Sequence, residues 1–298
     1  MLSLLVPGGH GQLGRELAAR ASVVRAPGST ELDLTNAGAV IEAVKGLAES
    51  AAEEGLSPVV VNAAAYNAVD AAETDATRAF AVNADGPRVL AAACSSSNVP
   101  LIHVSTDYVF AGDADRPYET DDPVRPRTAY GATKAVGEEA VLGSGASAWV
   151  VRTAWVYGAH GNNFVKTMAR LAAARDTVSV VDDQRGCPTW TGDLASGLLE
   201  LASRVASDSP PAARLLHAAG GGETTWFGFA QAVFEELGLD PARVLPCTTE
   251  DFPRPAPRPA YSVLSNRAWR EAGLPPMRPW REALAAAFAE HGDHFRAS

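Results

Sequence analysis

The sequence predicts an α/β protein, a doubly wound parallel sheet with helices on both faces, followed by a smaller and more irregular C-terminal domain. Three observations carry this. Strand-like and helix-like segments alternate through the first half, which implies repeated strand-helix-strand units. Gly8, Gly11 and Gly14 follow directly on the first apolar run, Leu2 to Val6. The second half is interrupted by prolines and glycines and has longer polar loops. The predicted division is 1–157 for the sheet domain and 158–298 for the second domain, with some segments of the latter returning to the sheet.

Element by element, Leu2 to Val6 reads as the first strand and Gln12 to Ala21 as a helix. Val23 to Ala26 reads as a second strand. Thr35 or Asn36 can cap a helix through Val40, Ile41, Val44 and Leu47. Val59-Val60-Val61 is β-branched and uninterrupted, the pattern of a strand buried on both faces. A long helical pattern runs from about Asp70 through Phe80, Val82, Val89 and Leu90. Leu101 to Val104 and Trp149 to Val151 are further strands. Beyond them, Phe164 to Ala174, Leu194 to Val205, Phe227 to Leu237 and Trp280 to Ala289 look helical, whereas Pro253 to Pro259 cannot be regular helix. Loops of that kind often build a pocket over the carboxyl ends of a doubly wound sheet.

The composition bounds the function. With 298 residues, 47% hydrophobic and 20% charged, the chain has ordinary globular composition. A formal charge of -10 argues against a nucleic-acid binder but not against an anionic small molecule held by local arginines. Cys94, Cys187 and Cys247 are scattered and odd in number, which fits a reduced, cytosolic compartment without disulfides. The N-terminus enters a strand-like run with no basic region of a signal peptide, and no apolar stretch is long enough to span a bilayer. His10, His103, His160, His217, His291 and His294 show no ligand spacing and read as structural or exposed.

The glycines at the first strand-to-helix junction permit a tight turn and let backbone N–H groups approach a pyrophosphate at a helix N-terminus, the dinucleotide site of a Rossmann sheet. No carboxylate closes the second strand, where an NAD site commonly has one, so Arg25 could face a 2′-phosphate there or stand in solvent. Asp33 could lie near the adenine or only approach the next helix. Small residues after the Val59–Val61 strand, Asn62-Ala63-Ala64-Ala65, would let a cofactor lie against the backbone; plain tight packing is the competing explanation. Tyr130 and Lys134 are four residues apart and share one face of a helix. An ammonium beside a phenol stabilises the phenolate, so the Tyr130 pKa is expected below its ordinary value of about 10. Such a phenol can pass a proton to a carbonyl oxygen while a hydride reaches the carbon. Ser105-Thr106-Asp107, a hydroxyl cluster, ends the strand upstream of it.

These segments, in order, resemble the dTDP-4-dehydrorhamnose reductase family of the extended short-chain dehydrogenase/reductases. They are Gly8 through Gly14 (GGHGQLG), Asn62 through Asp70 (NAAAYNAVD), Ser105 through Phe110 (STDYVF), Tyr130 to Lys134, Arg152 through Tyr157 (RTAWVY), Gly161 to Phe164, Gly186 to Thr189 and Arg258 to Ser262. The resemblance covers nearly the whole chain. It implies reduction of a 4-keto dTDP-sugar with NADPH or NADH. By it, Tyr130 is the proton donor, Lys134 holds the nicotinamide ribose, Thr106 bonds the substrate carbonyl and Tyr108 tunes the phenol. Gly8, Gly11, Gln12, Leu13, Gly14, Arg25, Asp33, Leu34, Ala63, Ala64 and Ala65 are the cofactor candidates with Lys134. Val69, Asp107, Trp155, Asn163, Arg185 and Arg258 are the substrate candidates with Thr106 and Tyr130, the arginines facing a diphosphate.

There are departures. Pro7 stands where relatives commonly have threonine. The family's magnesium is held by glutamates at a homodimer contact; Glu16 matches one, Gly192 falls where another is expected, and no metal ligand set is assigned. Two other functions compete. One is a 4-ketoreductase for another dTDP-deoxysugar of natural-product assembly, of the dihydrostreptose type. The other is a non-catalytic NADP-binding protein like the regulatory subunit of methionine adenosyltransferase, against which Thr106, Tyr130 and Lys134 argue. A dehydratase fits less well, because Tyr108 stands where such relatives carry an acid.

Overall fold

The computed structural model describes residues 1–207 and 209–296. The first half runs β1 (Leu2–Leu5), α1 (Gln12–Arg20), β2 (Val24–Arg25), α2 (Ala37–Glu54) and β3 (Ser57–Asn62). It continues through α3 (Val69–Ala72), α4 (Ala76–Phe80), a π-helical turn Ala81–Asp85, α5 (Gly86–Ser96), β4 (Leu101–Thr106), α6 (Ala129–Leu142) and β5 (Ala148–Thr153). After these come β6 (Val156–Tyr157), α7 (Phe164–Ala174), β7 (Val178–Val181), β8 (Arg185–Gly186), β9 (Thr189–Trp190), α8 (Thr191–Val205) and β10 (Leu215–His217). The chain ends with β11 (Thr224–Thr225), α9 (Trp226–Glu236), β12 (Val244–Cys247), α10 (Arg267–Glu271) and α11 (Trp280–Arg296), the last kinked at His291.

Six strands form one sheet in the order β10-β5-β4-β3-β1-β2, every pair parallel. Burial on both faces, as the uninterrupted valines of β3 predict, decides its place. Val59 and Val61 join the cluster with Leu13, Leu17 and Leu198 from α1 and α8, while Val60 joins Val40, Val44 and Leu90 from α2 and α5. All three valines are fully buried, each worth about 1.5–3 kcal/mol of apolar transfer. A separate core of Tyr157, Val165, Met168, Trp190, Phe229, Phe234, Leu284 and Phe288 holds the C-terminal lobe. Among the described residues its strands form two-stranded pairs, β11-β8, β12-β7 and β6-β9. Among the described residues no helix is long and apolar enough to cross a membrane.

Asn36 rather than Thr35 caps α2, its side chain accepting from the Ala39 N–H at 3.2 Å. The long helix expected from Asp70 to Leu90 is broken into three. A turn closes after α3, with Thr74 and Asp75 N–H groups both donating to Ala71 O. Pro87 then has no N–H for the carbonyl of Asn83, and the helix widens into a π turn in which the Gly86 N–H reaches Ala81 O.

Candidate active site

The strand order reverses between β1 and β3, and a crevice opens there at their carboxyl ends, as the rule for open α/β sheets requires. Gly8 follows β1 with φ +82°, and a Cβ on it would lie 2.6 Å from Ala64 N, so the two loops meet only because residue 8 has no side chain. Gly11 precedes α1 in extended geometry, and among the described residues no side chain caps that helix. A groove of about 690 Å³ is lined by Gly8, Gly11, Asp33, Leu34, Ala63, Ala64 and Ala65, with Asn67 and Arg78. A bare backbone cradle at an uncapped helix N-terminus fits the pyrophosphate of a nicotinamide dinucleotide. Asp33 accepts from the backbone N–H and hydroxyl of Thr35 at 2.9 and 2.8 Å, which hold its carboxyl below the usual range. Arg25 is not in this groove; it is exposed and lines a neighbouring recess with His10, Glu31 and Glu42.

A chamber of about 300 Å³ shares Gly11, Ala63, Ala65 and Asn67 with the groove, so the two are continuous. Its walls include Gln12, Leu13, Gly14, Val69, Thr106, Asp107, Tyr108, Tyr130, Lys134 and Trp155. Thr128 starts α6 by accepting from the Gly131 N–H at 2.9 Å, which puts Tyr130 in the first turn. A Cβ on Gly131 would fall 2.2 Å from Tyr108 O. That close approach brings the Tyr108 ring edge-on to Tyr130, 5.6 Å between centroids. The Thr106 hydroxyl donates to Asp107 Oδ1 at 3.0 Å and accepts from the Tyr108 N–H at 3.2 Å. Burial pushes the Asp107 carboxyl up to about 6.

The expected lowering of the Tyr130 pKa is reversed. Burial pushes the phenol up to about 12, and a hydrogen bond with Thr106 pulls against it. Lys134 does share the helix, but its ammonium turns to Val104 O at 2.6 Å and His103 Nε2 at 3.3 Å. Burial pulls Lys134 down to about 8, with Glu138 opposing. His103 is itself buried between Lys134 and the Asn62 amide, 3.0 Å from its Nδ1. The sequence left this histidine as structural or exposed, because its partners lie on another strand and a distant helix.

A second chamber of about 390 Å³ adjoins Tyr108 and is lined by Phe164, Met168, Val180 and Trp226, with Phe252, Arg254 and Arg258 beside Asp70. Arg258 donates to Asp70 Oδ2 at 2.8 Å and to Ala256 O at 3.0 Å. Two substrate candidates are not brought to either chamber. Asn163 caps α7, accepting from Lys166 N–H and donating to Gly158 O and Gln12 Oε1. Arg185 pairs with Glu223 at 2.7 Å, neutralised beside the β8-β11 ladder. Sequence reasoning missed Asp70, Arg254 and Trp226. Asp70 ends the NAAAYNAVD segment and Arg254 sits in the proline-rich run, so both were within reach; Trp226 gave no local signal beyond an aromatic at a helix start.

The magnesium that the resemblance implies has a test in the side chains. Glu290, which the sequence did not single out, stands beside Glu16, and with His291 their ligand atoms lie within 4.8 Å of one another. Arg20 already occupies that place. Its Nη2 donates to Glu16 at 2.7 Å and to Glu290 at 3.0 Å. A cation of the chain neutralises both carboxylates, and the residues present do not fit a divalent ion.

A family model described as RmlD substrate binding domain matches residues 2–292. The chain is 49% identical to a dTDP-4-dehydrorhamnose reductase of Streptomyces griseus, over 95% of this chain and 92% of that one. It is 47% identical to a probable dTDP-4,6-dihydroxy-2-methyloxan-3-one 4-ketoreductase of Streptomyces antibioticus, over 96% and 94%. Among solved structures, it resembles a dTDP-4-dehydrorhamnose reductase of Bacillus anthracis in complex with NADP, with TM-score 0.89 and 34% identity over 97% of this chain and 99% of that one.

Proposed function

The chain belongs to the RmlD substrate binding domain family, and from that premise we propose that it reduces the 4-keto group of a dTDP-4-dehydro-6-deoxy sugar, dTDP-4-dehydro-L-rhamnose giving dTDP-L-rhamnose, with NADPH preferred over NADH. The observation that carries this reading is the chamber in which Thr106, Tyr130 and Lys134 stand together at the inner end of the glycine-lined groove. The cofactor preference rests on the NADP-bound relative and on a β2 that ends without a carboxylate. We read residues 1–157 as the cofactor half and 158–298 as mainly the substrate half, which lends β10 back to the sheet.

A nicotinamide cofactor supplies the hydride. Gly8, Gly11, Gly14 and the N-terminus of α1 would hold its diphosphate, and Asp33, Leu34 and Ala63 to Ala65 would hold its adenosine. Tyr130 keeps its proton at neutral pH and delivers it to the carbonyl oxygen. The Thr106 hydroxyl, which stands beside the phenol, would turn its proton from Asp107 to that oxygen when the sugar binds. Lys134, whose ammonium here bonds Val104 O, would hold the cofactor ribose, and its charge would favour the phenolate left after transfer. Arg258 and Arg254 flank the second chamber and pair with the substrate diphosphate.

The relative from Streptomyces antibioticus supports a second reading, a 4-ketoreductase for a different dTDP-deoxysugar. One assay separates the readings: the purified protein with a panel of dTDP-4-keto sugars and NADPH, followed by loss of NADPH absorbance and product analysis. Fastest turnover of dTDP-4-dehydro-L-rhamnose is expected. Preference for another 4-keto sugar selects the second reading, and absence of turnover with every sugar overturns both.

A further inference from the structure

Trp155 has a backbone that tryptophan rarely adopts. Its φ is +48°, and among the described residues only Asn98 shares a positive value without being glycine. For a bulky residue that backbone is strained and persists only where the surroundings over-determine it. Three features do so here. The Trp155 carbonyl accepts from the Thr189 N–H at 3.1 Å, at the start of the β6-β9 pair. Its indole stacks face to face on Trp226, with centroids 3.5 Å apart and planes within 6°. And it lies where residue 186 has no side chain, since a Cβ on Gly186 would come 2.3 Å from its Cε2.

Trp226 is itself fixed. It opens α9, which Thr225 caps by accepting from the Gly228 N–H at 3.0 Å, and Phe164 packs on it with centroids 4.6 Å apart. Trp155 lines the chamber that holds Tyr130, and Trp226 lines the chamber that holds Arg258. The stacked pair is therefore the wall between the two.

We propose that Trp226 is a positioning residue: its stack, in the space Gly186 leaves, sets the angle at which Trp155 meets the sugar ring and so decides which 4-keto sugars stand correctly before Tyr130. The inference rests on the reductase reading for its substrate. Trp226 does not line the first chamber, where Tyr130 and Thr106 stand, and acts through Trp155.

Circular dichroism and steady-state kinetics test this together. Two indoles stacked face to face give an exciton couplet, so the wild-type protein should show one. Trp155→Phe, Trp226→Phe and Gly186→Ala should each lose it, the last while keeping both rings. Trp226→Phe and Gly186→Ala should raise KM for the dTDP-4-keto sugar by roughly 3–10-fold, the scale of one aromatic pair. Both should change the ratio of kcat/KM between two such sugars and leave the NADPH dissociation constant unchanged. The Trp155→Phe/Trp226→Phe double variant should be no worse than the single ones, because one wall has been removed once. Unchanged sugar preference in Trp226→Phe overturns the proposal, as do additive effects in the double variant or a couplet that survives Gly186→Ala. If Gly186→Ala does not fold, Trp226→Phe and the double variant decide alone. Should wild type turn over no sugar, the reductase reading fails, while the couplet and dTDP-sugar binding by fluorescence still show whether Trp226 governs Trp155.

Discussion

Tyr130 and Lys134 sit one turn apart on α6, and burial drives their proton affinities apart, the phenol up to about 12 and the ammonium down to about 8. Tyr130→Phe keeps the ring and loses the proton. Its kcat should fall on the order of 10²–10⁴-fold with NADPH binding retained in a fluorescence titration. A variant with half the wild-type kcat would remove Tyr130 from the acid's role. Lys134 also carries a pH signature. Its folded pKa lies below the ordinary lysine value of 10.5, so between about 8 and 10.5 the unfolded chain binds more protons than the folded one. Stability from this group is therefore present above pH 10.5 and lost as pH falls through about 8. Relative to Lys134→Met, the wild-type melting temperature should rise as pH is raised across that window; parallel curves would show that Lys134 is not strained by burial. The spacing of Tyr130 and Lys134 told which face they share. What Lys134 touches was illegible, because His103 and Val104 are thirty residues away and only the sheet brings them under α6.

The elements that matter most for the site are those the sequence described least well. The proline-rich segment 253–259 is no helix, as its composition required, and it presents Arg258 to Asp70 at the first turn of α3. Burial pushes the Asp70 carboxyl up, but bonds from Arg258 and the Ala256 N–H outweigh it and hold it low. Arg258 thus both orders the loop and faces the second chamber. Arg258→Ala should raise KM for the nucleotide sugar more than it lowers kcat, and should also lower the melting temperature. Asp70→Asn should lower the melting temperature with a smaller rise in KM, because the cation stays. Equal KM in Arg258→Ala and wild type would confine the arginine to the loop. On the opposite side, Arg20 ties α1 to α11 through Glu16 and Glu290. Wild-type kcat should be indifferent to EDTA and to added Mg²⁺, whereas Arg20→Ala should gain melting temperature with Mn²⁺. A chelator that abolishes wild-type turnover would show that a divalent ion displaces the arginine.

Across the whole molecule, the alternation of strand and helix was readable from end to end of the first half, since each strand is a short apolar run with its own turn signal. The return of β10 to the sheet was foreseen only in general terms. What no local pattern announces is the charge under the sheet. Arg152 on β5 and Glu138 on α6 are 2% and 5% exposed and form a two-pronged pair at 2.9 and 2.6 Å, with His217 of β10 at 3.5 Å from the guanidinium. Removing one partner leaves the other charge buried alone. Glu138→Gln should cost ~3–5 kcal/mol in urea unfolding, far more than a surface pair. A loss below about 1 kcal/mol would mean that water reaches Arg152.

The π turn at Ala81–Asp85 reaches beyond its own helix. Asn83 bonds the backbone of Tyr66 on both its N–H and its C=O, and its amide also reaches the Thr133 hydroxyl. A Cβ on Gly137 would meet the Asn83 carbonyl at 2.1 Å, so α6 leans on the widened turn. The helix that carries the phenol is thus hung from a place where the chain holds one more residue than a regular helix would need. Insertions and deletions are usually read as harmless in loops and ruinous in helices; here a helix owes its alignment to a surplus residue. Shortening the tract by one would disturb the reacting groups without altering any of them.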